Sequence, residues 1–162
     1  MKVIIIMGSK GDLEHCQKIG DFLEKFAVGY IFRIASAHKT PEKALAIIRE
    51  YEEDAIFITV AGRSNALSGF VDANTKRPVI AAPPYHEIDI FSSLRMPSGV
   101  APLVVIDPEG AALATIKILA LSDKSLEEKL KAYQKEKAEE IEKADLDLDF
   151  GRNLNIQNKF CS

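Results

Sequence analysis

Unbroken apolar runs alternate along this chain with stretches in which apolar residues recur every three or four positions. Residues 3–7 form a β-branched run that stops at Gly8-Ser9. Such a run reads as a strand buried on both faces. From Asp12 the period changes: Leu13, Cys16, Ile19, Gly20, Leu23 and Phe26 mark one face of an amphipathic helix. Residues 30–35 predict a second strand. Thr40-Pro41-Glu42 reads as a helix start, with Thr40 as N-cap, Pro41 in the first turn, and Ala44, Ile47, Ile48 and Tyr51 as the apolar face. The clearest central strand is 55–61, followed by a short helix over 66–72. A strand over 78–82 can only begin at Pro78, which has no N–H to give a ladder. A short helix over 88–94, a strand over 103–106 and an Ala-rich helix over 108–121 complete the pattern.

Five strand–helix units with short connections predict an α/β fold with a parallel sheet and helices on both faces. By analogy with flavodoxin-like sheets, the expected strand order is 2-1-3-4-5. Beyond this core (1–122), Ser125-Leu-Glu-Glu128 has capping-box spacing. The helix it opens carries a narrow stripe of Leu126, Leu130, Tyr133, Ala138, Ile141 and Ala144 on a surface dense in Lys and Glu. That describes a solvated surface helix, or one whose stripe docks on another subunit. Leu146-Asp-Leu-Asp-Phe150 alternates with period two, as an extended arm would. Residues 123–162 are thus expected to be a helix and arm within a one-domain protein, available for contact between subunits.

Composition narrows the function classes. The 162 residues are 47% hydrophobic and 28% charged, with a net charge of −3. One core can carry such a chain, and a strongly basic nucleic-acid binder is not expected. No apolar run approaches the ~20 residues of a membrane span. Two thiols, Cys16 and Cys161, far apart in sequence, suit a reducing cytoplasm. No His/Cys/Asp cluster has metal-ligand spacing, and no Ser lies in a nucleophile-elbow pattern.

In an open parallel sheet, ligands bind beyond the carboxyl ends of the strands, and the unusual residues gather there. After the first strand, Gly8-Ser9-Lys10-Gly11-Asp12 lets the backbone approach a ligand and puts free N–H groups before a helix. Asp12 could accept from ribose hydroxyls or only cap the helix. After the second, Ser36-Ala37-His38-Lys39 combines a hydroxyl, an imidazole and a cation in one turn. His15 and His86 have no such company and read as surface residues. After the third, Gly62-Arg63-Ser64-Asn65 offers donors for a carboxylate or a small polarised molecule. An Arg on the surface and an Asn that only caps a helix would give the same letters. Ser92 to Gly99 is a fourth candidate wall.

Taken together, Gly8-Ser9-x-x-Asp12, Ser36-Ala37-His38-Lys39, Ala61-Gly62-Arg63-Ser64-Asn65 and Ser93-Leu94-Arg95-Met96-Pro97-Ser98-Gly99 resemble the phosphoribosylaminoimidazole carboxylase family of purine biosynthesis. The likeness runs over about residues 3–122. It implies a three-layer α/β/α sandwich and reversible, cofactor-free carboxylation of 5-aminoimidazole ribonucleotide by CO2 at ring C4. His38 would move the C4 proton, and Ser64 and Asn65, with Lys39, would hold CO2 and the new carboxylate. Ser9, Asp12 and Ser36 would hold the ribose 5-phosphate, and Gly62 and Arg63 complete the binding set. Two branches of the family differ in the third loop. The mutase branch, which rearranges an N-carboxylated substrate, carries a second His where Ala66 stands here. Arg63-Ser64-Asn65 and Lys39 resemble the CO2-using branch instead. Gly11 replaces a Ser often found before the Asp, which removes one hydroxyl from the first loop. The resemblance further implies a homo-octamer or homotetramer, with sites completed by another chain through His86 or Arg95. The competing expectations are the mutase and a non-catalytic nucleotide-binding module. A flavin carrier would show aromatic walls that these loops lack.

Overall fold

Val3 to Met7, the apolar run nearest the N-terminus, forms most of β1 (Lys2–Met7), and all five of these side chains are buried. The computed structural model describes residues 1–157, with side chains described through residue 148. β1 lies between β2 (Tyr30–Ile34) and β3 (Ala55–Val60), with β4 (Val79–Ala81) and β5 (Leu103–Val104) beyond β3. All pairings are parallel, and the order is β2-β1-β3-β4-β5, as expected. Every residue of β3 is buried, which places the most apolar strands at the middle of the sheet.

Helices cover both faces. Ile4, Ile6 and Phe57 pack with Ala44, Ile47 and Ile48 of α2 (Pro41–Tyr51) and with Leu67 and Val71 of α3 (Ala66–Asp72). Alternation along the strands sends Val3 and Ile5 to the opposite face. Tyr30 is in register with Val3 and so points the same way. Its ring lies against Gly20 of α1 (Leu13–Lys25), where an added β-carbon would stand 2.5 Å from it. α4 (Phe91–Leu94) and α5 (Pro108–Ala120) follow β4 and β5.

The strand ends set up the site. Met7, the last residue of β1, is in register with both Ile34 and Val60, the last residues of β2 and β3. Two further backbone bonds, Gly8 N to Val60 O (2.8 Å) and Ala35 N to Met7 O (3.0 Å), hold the three departing loops level.

The chain divides into two compact units, Met1–Leu119 and the part from Ala120 onward. The second unit is dominated by α6 (Lys124–Gln157). Here two expectations fail. The cap is Asp123, whose carboxylate and carbonyl accept from Leu126 N (3.1 Å) and Glu127 N (3.0 Å), so Ser125 lies inside the helix. An Asp is as good a cap as Ser and also suits the positive end of the helix dipole. Residues 146–150, read as an extended arm, continue the helix. Extending an existing helix fixes one residue per added bond, whereas two leucines in alternation give an isolated strand no partner. Leu126 and Leu130 are buried, whereas Ile141, Leu146 and Leu148 are exposed. Pairs such as Lys131–Glu127 and Lys137–Glu140 line the charged surface. Cys161 lies outside the described residues. No helix among the described residues is long and apolar enough to cross a membrane.

Candidate active site

Each of the first three strands feeds a loop with its own internal hydrogen bonds. In the first, Ser9 caps a single 3₁₀ turn, Lys10–Asp12. Ser9 N and Ser9 Oγ both donate to Asp12 Oδ2, at 2.9 and 3.0 Å, and Ser9 Oγ accepts from Gly11 N at 3.2 Å. Asp12 is therefore a structural residue of this loop before it is a ligand residue. Its other oxygen, Oδ1, lies 3.7 Å from where a β-carbon on Gly62 would stand, so the first and third loops touch here.

The second loop closes through Ser36 and Thr40. Ser36 Oγ accepts from Lys39 N at 3.2 Å, and Thr40 Oγ1 accepts from Ser36 N at 2.9 Å. Thr40 occupies the N-cap position of α2, but its hydroxyl makes no cap bond and is turned back to the loop. His38 lies within this turn, exposed, and makes no hydrogen bond or ion pair among the described residues.

The third loop is shaped by Asn65. Its N–H donates to Ser92 Oγ (2.8 Å) and its Nδ2 to Ser93 Oγ (2.9 Å), while Oδ1 accepts from Ser68 N (3.3 Å). Asn65 thus caps α3 and ties it to α4. The preceding Ser64 adopts φ 43°, the left-handed region that costs a non-glycine residue about 1 kcal/mol or more. The buried Asn65 bonds hold that conformation in place.

The loops meet in one cavity of about 830 Å³. It is lined by Ser9, Asp12, Ser36, His38, Lys39, Gly62, Arg63 and Ser64, which is every expected site residue except Asn65. Asn65 is buried, caps α3 and lies outside the cavity lining. The Ser92–Gly99 segment does not line the cavity either, since Ser92 and Ser93 are spent on Asn65. The fourth wall comes from Pro84 to Asp89 instead. There His86 Nδ1 lies 3.3 Å from Asp89 Oδ2; the ring is exposed, as expected, and only its pairing with Asp89 was not foreseen. Its i, i+3 spacing was the available signal. Lys39 and Arg63 carry no ion-pair partner among the described residues, which leaves two cations to attract an anionic ligand.

His15 also departs from expectation. It is half-buried, with Nε2 shut away and without a partner among the described residues, and burial, reinforced by Lys18, lowers its pKa. Burial, with Asp12 adding, pushes the Cys16 thiol up to about 12. A thiol so protonated is no nucleophile.

Residues 2–140 match the family model for AIR carboxylase. The chain belongs to the AIR carboxylase family. It is 60% identical to a phosphoribosylaminoimidazole carboxylase of Archaeoglobus fulgidus, over 91% of this chain and 85% of that one. It is 46% identical to its namesake in Treponema denticola, over 86% and 92%. The crystal structure of Treponema denticola PurE superposes with a TM-score of 0.86, at 46% identity, covering 89% of this chain and 96% of that one. Family membership identifies an enzyme of purine biosynthesis and accounts for the parallel sheet with its helices around it.

Proposed function

We propose that this enzyme carboxylates 5-aminoimidazole ribonucleotide at ring C4 with free CO2, reversibly and without a cofactor. One observation carries the reading: three level strand-end loops bring into a single cavity an imidazole and two cations that have no partner among the described residues. The ring carbon C4 is an enamine-like nucleophile. Its electron pair forms the bond to CO2, giving a carboxylate and a tetrahedral, still protonated C4. His38 takes that proton and restores the aromatic ring; in reverse it returns the proton and CO2 leaves. A positioned acid–base group is worth about 10²–10⁴ in rate, and holding CO2 against C4 adds an entropic gain.

Ser64 and Lys39 hold CO2 and the new carboxylate, with Arg63 and Gly62 beside them. Ser9, Asp12 and Ser36 hold the ribose 5-phosphate. Asn65 serves by fixing the strained Ser64. The CO2-using branch is favoured because the third loop brings no imidazole to the cavity: Ala66 stands where the mutase branch has its His. The enzyme works in the cytoplasm, as a homo-octamer or homotetramer in which residues from 123 onward reach other subunits.

Two measurements test this. Initial rates with the ribonucleotide in bicarbonate buffer should rise when carbonic anhydrase supplies CO2 quickly. Efficient turnover of the N-carboxylated isomer under CO2-free conditions would overturn the branch. His38→Asn should cut carboxylation and decarboxylation about 10²–10⁴-fold while nucleotide affinity changes only a few fold; turnover near wild type would remove His38 from the reaction.

A further inference from the structure

The functional reading above gives partners to the phosphate, the ribose and the carboxylate, but none to the flat heterocycle that carries C4. The three reacting loops hold no Phe, Tyr or Trp. An aromatic ring reaches the cavity from the loop after β4 instead, as Tyr85.

The chain before Tyr85 sets its position. Ala82 N donates to Thr59 O at 2.9 Å, which ties the end of β4 to β3. Pro83 and Pro84 follow, and proline fixes its own φ and keeps the residue before it extended. Pro83 is buried, so the segment is anchored as well as stiff. Pro84 Cγ lies 3.8 Å from where a β-carbon on Gly62 would stand, so this wall abuts the third loop. Tyr85, one residue on, therefore joins the cavity lining next to the groups assigned to CO2.

The ring is also uncovered. Tyr85 is 68% exposed and makes no hydrogen bond or ring contact among the described residues. The other three tyrosines are engaged: Tyr30 bonds Glu24, Tyr51 bonds Arg33, and Tyr133 lies under the ammonium of Lys137. A planar ligand ring would cover what Tyr85 leaves open. An aminoimidazole carries its polar groups at its edge, and its two faces are π surface. Aromatic pairs prefer an offset stack, which buries the ring while leaving C4 open to CO2 and to His38.

We propose that Tyr85 is the platform on which the heterocycle stacks, a binding residue that makes the site select a nucleotide with a flat ring over a bare sugar phosphate. This inference rests on the functional reading above and deepens it by naming what holds the ring.

The test compares the affinities of 5-aminoimidazole ribonucleotide and ribose 5-phosphate, which lacks the ring, in the intact protein and in Tyr85→Ala, Tyr85→Phe and Tyr85→Leu. Tyr85→Ala should bind the ribonucleotide about three- to tenfold more weakly than wild type. It should bind ribose 5-phosphate as wild type does, at an unchanged melting temperature. Tyr85→Phe keeps the flat ring and should hold most of the affinity that alanine loses. Tyr85→Leu, apolar but not flat, should hold less. Unchanged ribonucleotide affinity in Tyr85→Ala, an equal loss for both ligands, or a leucine variant as tight as the phenylalanine one overturns the proposal. If wild type shows no CO2-dependent turnover while Tyr85→Ala still loses affinity for the ribonucleotide alone, the functional reading falls and the stacking role stands. If wild type turns over and Tyr85→Ala loses nothing, the stacking role falls alone.

Discussion

His15 sits in the first turns of α1 with Nε2 enclosed and without a partner among the described residues. Burial is the largest influence on it, and Lys18 adds to the lowering. The Ala82 carbonyl, Asp12 and Asp107 pull the other way without reversing it. The folded pKa therefore lies below the ordinary imidazole value of the unfolded chain. As pH falls through that ordinary value the unfolded chain binds a proton first, so His15 stabilises the fold near neutrality and loses that contribution toward pH 5. Urea midpoints measured at pH 7 and pH 5 should drop less in His15→Gln than in wild type; parallel drops would refute this. Sequence reading treated His15 as a surface residue because its neighbours Ala82 and Asp107 are remote in sequence. For the same reason the letters cannot show that Asn65 bonds Ser92 and Ser93, 27 and 28 positions away. His38, Ser36 and Lys39 were legible because one turn holds all three.

Elements were easier to read than their ends. Periodicity located α1, α2, α3 and α5, whose buried faces span several turns, but caps depend on a single side chain choosing between partners. Thr40 turned to Ser36, and Asp123 displaced Ser125 as the cap of α6. Asn65 shows what a cap can carry beyond its own helix, since it joins the start of α3 to α4. Asn65→Ala would leave the Ser68 N–H and the Ser93 hydroxyl without their present partner in a buried setting. The expected cost is about 1–3 kcal/mol, read as a lower urea midpoint at unchanged slope. The backbone N–H that meets Ser92 survives the substitution, but the side-chain bonds beside the strained Ser64 are lost, so carboxylation should fall as well. A variant as stable and active as wild type would show that the link is dispensable.

For the whole molecule, the order of the strands follows from which runs lack polar residues. β1 and β3 are covered on both faces and flanked on both edges, whereas β5 is two residues long and partly exposed. Native-state hydrogen exchange should find the slowest amides among Ile4–Ile6 and Ile56–Ile58, opening only with global unfolding, and much faster exchange in β5. Uniform protection across the sheet would contradict that ranking. The sheet was legible because parallel strands need apolar residues on both faces, a demand that few sequences meet by accident. The fate of residues 146–150 was not, since two leucines satisfy a strand and a helix equally.

Met7 finishing flush with Ile34 and Val60 has an architectural corollary. The floor of the cleft is a terrace cut by strand length, so its height is inherited from residues that never meet a ligand. One residue inserted deep in β1 would lift its terrace edge by about 3.3 Å and reverse the facing of every later side chain in that strand. Chemistry at the rim is thus guarded by the spacing of plain hydrocarbon residues several ångströms beneath it.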